Sequence, residues 1–135
     1  MTLSEKGLVK LCATLSPVMA EPIYVYCSFP DFIVPAGLST LCTMREHEGL
    51  TAIVEHADAE RLGLPYTFDA RLITLSVHSS LEAVGFLAVI SRKLADAGIS
   101  CNVIAGYFHD HILVPVQRAD HAMALLREIA ASANA

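Results

Sequence analysis

The sequence lacks the basic residues that a nucleic-acid-binding protein needs. Only 9 of its 135 residues are Lys or Arg, and the formal net charge is −5. Binding to phosphates requires a cluster or stripe of Lys and Arg, and the sequence has no basic run. We therefore expect a protein that does not bind nucleic acid.

Long apolar runs are also missing. A membrane-spanning helix needs about 20 consecutive apolar residues, and the most apolar windows, such as residues 83–90, are far shorter. The first residues show no basic segment followed by an apolar stretch, as a secretory signal would. These absences favour a cytoplasmic protein with no membrane partner.

The sequence has few features of a metal site or an active site. Its four cysteines (Cys12, Cys27, Cys42 and Cys101) form no CxxC pair, so reduced thiols are expected and a zinc cluster is not. Glycine-rich phosphate loops, a nucleophile elbow and an H-E-x-x-H motif are absent. We expect no cofactor and no catalytic residues, hence a protein that is not an enzyme.

What the sequence does contain is enough apolar residues for a core. Hydrophobic residues make up 54% of the chain, which suits one compact domain or two very small ones. Periodicity predicts the order α-β-β-β-α followed by β-α-β-β-α. Residues 54–58 and 116–120 share a strand end that leads into Ala-Asp. We therefore predict an α+β protein with two related units, residues 1–65 and 66–135.

The second half has the clearest pattern. Residues 71–77 alternate as a strand, and Ser79 with Glu82 forms a capping box typical of a helix start. Two β-rich runs, 101–107 and 111–116, predict a hairpin. The helix after the capping box is predicted to bury one stripe of side chains: Val84, Leu87, Ala88, Ser91, Leu94 and Ala95.

Residues 77–87, 97–103 and 105–115 together resemble the first strand, loop, helix and following strands of an ACT domain. The resemblance is strongest over residues 70–129 and extends to small bacterial proteins with paired ACT-like domains, related in pattern to aspartate kinases and arginine sensors. It implies the ferredoxin-like βαββαβ fold in two tandem units, the first of them degenerate. It also implies amino-acid sensing and pairing of sheets side by side. Residues 70–77 could belong to either unit, which suggests a shared strand, a swap or completion by a dimer.

The resemblance places a ligand site in the loop that follows this strand. Free N–H groups at a helix start bind a carboxylate, the serines add hydroxyls, and a glycine permits close backbone approach. Capping of the helix by Ser79 is an equally simple explanation. The ACT pattern ends this loop with Pro-Gly, whereas this chain has Val84-Gly85. The predicted ligand-binding residues are His78, Ser79, Ser80, Leu81, Val84, Gly85, Asn102 and Ile104.

A second polar cluster is the run His109-Asp110-His111. Histidines two apart in a strand project to the same side and can chelate a metal, with His78 as a third ligand. An ordinary polar turn explains the same residues. A metal site at His78, His109 and His111 is therefore kept as an alternative.

The sequence predicts a regulatory protein that binds a small molecule of the amino-acid type and forms a homodimer. Two alternatives stay open: an interaction module whose ligand site is vestigial, and a metal-binding protein.

Overall fold

The computed structural model describes residues 5–77 and 84–135. Its helices are α1 (Glu5–Ala13), α2 (His56–Arg61), α3 (Phe86–Asp96) and α4 (Ala119–Ala133), and a 3-10 turn covers Val116–Arg118. Its strands are β1 (Ser16–Phe29), β2 (Cys42–Arg45), β3 (Leu50–Glu55), β4 (Thr67–Ser76), β5 (Asn102–Ala105) and β6 (Asp110–Pro115). Within the described ranges, no helix is both long and apolar enough to cross a membrane. The predicted α+β class is confirmed.

The chain folds into two compact units that are not successive halves of the sequence. Unit 1 contains the described residues up to Ala20 and those from Leu72 onward, and unit 2 is Glu21–Arg71. Strands β1 and β4 therefore each contribute residues to both units. The division at residues 65 and 66 concerns the sequence repeat and stays a prediction.

Unit 1 has the larger core. Its strand order is β1-β4-β6-β5, and α1, α3 and α4 pack with one another. Strand alternation directs Ile73 and Leu75 of β4 into this core, because side chains two apart share a face of the sheet. Val77, directly after the strand, is buried in the same cluster. Leu11, Cys12 and Leu15, contributed by α1 and the residues directly after it, are buried in the same cluster.

Helix α3 begins later than the capping box suggested. Gly85 is its N-cap residue and has a left-handed backbone with φ 100°, a conformation that glycine adopts without strain. The buried face is Phe86, Ile90 and Leu94, spaced four apart as a helix requires. The predicted stripe was wrong apart from Leu94 and the partly packed Leu87, because it was counted from Val84, which precedes the helix and is 56% exposed.

Unit 2 is smaller, with strand order β2-β3-β1-β4. In β1 and β3, which are antiparallel, Val25 lies opposite Val54 and Cys27 opposite Ala52. These four side chains and Ala59 of α2 form its buried cluster. Burial raises the pKa of the Cys27 thiol, which is consistent with the free, buried state of this cysteine.

Candidate functional site

A pocket of about 290 Å³ opens in unit 1 where β4 ends. Its walls are Thr14, Ser76, Val77 and His109. Three of these four side chains can form hydrogen bonds, and the fourth is apolar. The volume is at the lower end of the range for small-molecule sites, about 300 Å³ upward. The pocket lies directly before the loop to which the sequence assigns ligand binding, since His78 follows Val77 in the chain.

A tight turn holds His109 in this wall. The N–H of Gly106 donates to the carbonyl oxygen of His109 at 2.9 Å. A Cβ atom on residue 106 would be 2.9 Å from that oxygen and 3.2 Å from Nε2 of His111, so only glycine fits without displacing the turn. The His109 ring has an unusual property: its Nδ1 is buried and has no hydrogen-bond partner among the described residues. Such an atom costs about 1–3 kcal/mol, and a functional role is one explanation for keeping it.

His111 is held beside the pocket by a strand neighbour. Its Nδ1 and Oγ1 of Thr74 are 2.9 Å apart, a hydrogen bond that joins β6 to β4. Burial lowers the pKa of His111, the nearby His109 lowers it further, and Asp110 opposes both effects. A neutral imidazole is therefore favoured at this position.

The strand register places two predicted ligand residues on the same face of the sheet as His111. In the antiparallel pair β5 and β6, Ile104 lies opposite His111 and Asn102 lies opposite Leu113. Leu113 is four residues beyond His109, a separation of roughly 13 Å along a strand. The walls of the pocket include neither Asn102 nor Ile104. Their contact with a ligand stays a prediction.

The remaining predicted residues divide into two groups. Val84 is exposed and Gly85 is the N-cap of α3; a Cβ on residue 85 would also be 3.2 Å from Cδ2 of Leu8. The backbone conformation and the contact with Leu8 therefore explain why residue 85 is a glycine, whether or not a ligand binds. His78, Ser79, Ser80 and Leu81 lie outside the described residues, and so does Glu82 of the capping box.

The metal alternative gains no support from the described residues. Among residues 5–77 and 84–135, no group of three or more His, Cys, Asp and Glu side chains is placed to hold a metal ion. His109 and His111 are close enough for electrostatic coupling, but the third proposed ligand, His78, lies outside these ranges.

Unit 2 has its own polar cluster, around Tyr66. The Tyr66 hydroxyl donates to Oε1 of Glu60 at 2.5 Å and is 2.9 Å from Nε2 of His56. The hydrogen bond to Glu60 raises the pKa of Tyr66 to about 12, with smaller contributions from burial and from the charges of Glu60 and Asp69. His56 also lies 3.9 Å from Asp69. These groups satisfy one another's hydrogen bonds, so the cluster is explained as a contact that holds α2 against the start of β4.

Sequence reasoning missed three contributors to the unit 1 site. The sequence pattern assigns Thr74 and Ser76 only to a strand and gives Thr14 no role in a site. One signal was present: Thr74 and Ser76 are polar residues spaced two apart in an otherwise apolar strand, so they mark one face of it. No comparable signal identifies Thr14, since its place in the wall depends on how α1 packs against the sheet.

Family comparison agrees with this architecture. ACT-domain models match residues 4–71 and residues 67–128, so the two matches cover nearly all of the chain and both include residues 67–71 of β4. Among curated proteins, none matches the sequence. The chain belongs to the ACT-domain family, whose domains are regulatory, and it has two tandem ACT domains of the ferredoxin-like fold.

Solved structures give the same result. A protein of unknown function from Vibrio cholerae, described as a possible transport protein, is 43% identical, with a TM-score of 0.83 over 93% of this chain and 97% of that one. An Agrobacterium tumefaciens protein is 15% identical, with a TM-score of 0.72 over 86% and 89% of the two chains. The ligand-free regulatory subunit of aspartate kinase from Thermus thermophilus is 8% identical, with a TM-score of 0.65 over 86% and 96%.

Proposed function

We propose that this protein is a non-catalytic sensor that binds an amino acid and acts as a homodimer. The observation that carries the proposal is the pocket at the end of β4, with its hydroxyls and with Nδ1 of His109, which has no partner among the described residues. Val77, in the wall of this pocket, directly precedes in sequence the loop where the ACT resemblance places the ligand. Solved relatives include aspartate kinase regulatory subunits, in which the same fold belongs to a regulatory chain.

The pocket and the loop supply complementary parts of a ligand site. Backbone N–H groups and serine hydroxyls of residues 78–85 would bind a carboxylate, while Thr14, Ser76 and His109 offer a second set of polar contacts. An amino acid has a carboxylate at one end and a variable side chain at the other. A site with two polar parts suits such a ligand better than it suits a macromolecule.

The test is a thermal-shift screen of the purified protein against the twenty amino acids, nucleotides and divalent metals. A ligand at about 100 times its dissociation constant stabilises a fold by about 2.7 kcal/mol, which gives a clear shift in Tm. We expect a shift with one amino acid or a small group of them. His109→Ala, Ser79→Ala and Asn102→Ala should each reduce it.

His47→Ala is a matched control, because His47 is exposed and lies outside the pocket. It should leave the ligand-dependent shift unchanged. A shift with zinc or nickel alone that His109→Ala abolishes would instead favour the metal-binding alternative. No shift with any compound would contradict ligand sensing and favour an interaction module.

A further inference from the structure

The hydrogen-bonding capacity of the β4 pocket identifies the kind of group it accepts. The Thr14 hydroxyl donates its proton to the carbonyl oxygen of Leu11, with the oxygens 2.7 Å apart. A hydroxyl has one proton and two acceptor sites. Thr14 therefore has only acceptor capacity left, and a ligand atom at this wall must be a donor.

The other polar walls can accept or donate. The hydroxyl of Ser76 rotates to serve either role. The imidazole of His109 has Nδ1 without a hydrogen-bond partner, so among the described residues no contact to that atom fixes its tautomer. Because Nδ1 is buried, the ring must turn about its Cβ–Cγ bond to present this atom to a ligand, and that torsion is broad for histidine.

Charge gives a second criterion. Among the described residues, no Lys, Arg, Asp or Glu lines the pocket. A charged group removed from water needs an opposite charge or several strong hydrogen bonds. The pocket therefore suits a neutral group that donates on one side and accepts on the other, within a small volume.

We propose that the β4 pocket, walled by Thr14, Ser76 and His109, selects a ligand that bears a carboxamide. The amide N–H₂ donates to the Thr14 oxygen, and the amide carbonyl accepts from Ser76 or from the turned His109. The inference rests on the proposed amino-acid-binding function and adds the class of ligand side chain. A carboxylate of the same shape has no proton to donate, so it could bond to Thr14 only if the Thr14 hydroxyl gave up its hydrogen bond to the Leu11 carbonyl.

The experiment compares isosteric pairs by calorimetry on the full chain: L-glutamine against L-glutamate, and L-asparagine against L-aspartate. We expect at least one amide to bind about tenfold more tightly than its acid, the effect of one hydrogen bond gained or lost. Thr14→Val should remove most of this preference, and Thr14→Ser, which keeps the hydroxyl, should retain it.

Ser76→Ala provides a second variant, and it should weaken amide binding. Two outcomes overturn the carboxamide inference alone: an acid that binds as tightly as its amide, or an amide preference unchanged in both Thr14→Val and Ser76→Ala. Binding of other amino acids, with no binding of glutamine or asparagine, would also overturn the carboxamide inference but not the proposal of amino-acid sensing. Absence of binding by all twenty amino acids would overturn both proposals.

Discussion

At the scale of single residues, the two histidines of the β5–β6 hairpin have different roles. His111 is fixed by Thr74 and has a lowered pKa, whereas Nδ1 of His109 has no partner within the part of the chain that the structure describes. The sequence presents them as an equivalent pair, because alternation alone places both on one side of a strand. The difference arises from the turn at Gly106, which ends before β6 begins, so that only His111 belongs to the strand.

The lowered pKa of His111 makes stability depend on pH. In the unfolded chain a histidine titrates near pH 6.5, so the unfolded state takes up a proton more readily than the folded state as pH falls through this value. The contribution of His111 to the free energy of unfolding is therefore present above about pH 6.5 and is lost as pH falls toward and through its lowered pKa. We expect His111→Asn, which preserves a hydrogen-bonding atom near Thr74, to reduce the loss of stability between pH 7 and 5, measured by urea denaturation.

A companion measurement checks the cause. His109 contributes to the low pKa of His111, so His109→Asn should raise the pKa of His111 toward its ordinary value in an NMR titration. His47→Asn, on an exposed turn of unit 2, serves as the control and should leave that pKa unchanged. An unaltered pKa in His109→Asn would show that the two rings do not interact.

At the scale of elements, strand β5 is the end of the strand order in unit 1. Val103 of this strand is 42% exposed, and the following turn has Tyr107 and Phe108 at 82% and 75% exposed. Soluble proteins avoid an exposed apolar edge strand, since its free backbone groups pair with other chains. This element is therefore where the proposed homodimer would form.

The expected result is a dimer for the natural sequence and a monomer for Val103→Lys, measured by light scattering after gel filtration. A lysine blocks edge pairing at little cost to the fold. Val18→Lys is the matched control, because Val18 is a valine in β1 that is 55% exposed and is not in β5. A monomeric natural protein, or a dimer that survives Val103→Lys, would contradict pairing through β5.

The number and type of elements could be predicted from the sequence, but the lengths of several strands could not, and β1 and β4 differ most. The alternation of residues 23–28 marks only the second part of strand β1, because Pro17 and Pro22 precede these residues and proline is unusual in a strand. The pairing of β1 with β3 begins at Tyr24, so neither proline has to donate a hydrogen bond to β3. Strand β4 was predicted from Arg71, since Thr67 to Ala70 show no clear alternation. Both extensions depend on pairing with distant strands, which local patterns do not encode.

The candidate site was predictable to a similar degree. The resemblance places a ligand in the loop after β4, which stays a prediction, and the sequence singles out the His-Asp-His run, of which His109 lines the pocket. Thr14 was not found, because 60 or more residues separate it from Ser76 and His109 in the sequence, and only the packing of α1 brings it to the pocket. Because the pocket wall comes from three segments that are distant in sequence, it can be recognised only once the fold is known.

At the scale of the whole molecule, the units and the sequence repeat do not coincide. Unit 1 buries Leu11 and Leu15, to 9% and 5% exposure, in the same cluster as the core of α3, α4 and β4. The second ACT match begins at residue 67 and does not include them. A fragment of residues 66–135 would therefore lose two buried leucines, at about 1.5–3 kcal/mol each, from a fold whose total stability is on the order of 5–15 kcal/mol.

We expect the fragment 66–135 alone to be largely unfolded, with poor dispersion in its amide NMR spectrum. Joining residues 5–20 to its C-terminus should restore the fold. Nδ2 of Asn134 donates to the carbonyl oxygen of Ala13 at 3.1 Å, so the chain end lies at the last turn of α1. The start of α1 is roughly 13 Å from there, at 1.5 Å per residue, and a linker of about eight Gly and Ser residues spans this distance. The same permuted chain with Leu11→Asp and Leu15→Asp is the control and should not fold. A well-dispersed spectrum from the fragment alone would mean that the second ACT domain is stable without α1, and that the shared strands are a consequence of the tandem arrangement rather than a requirement for folding.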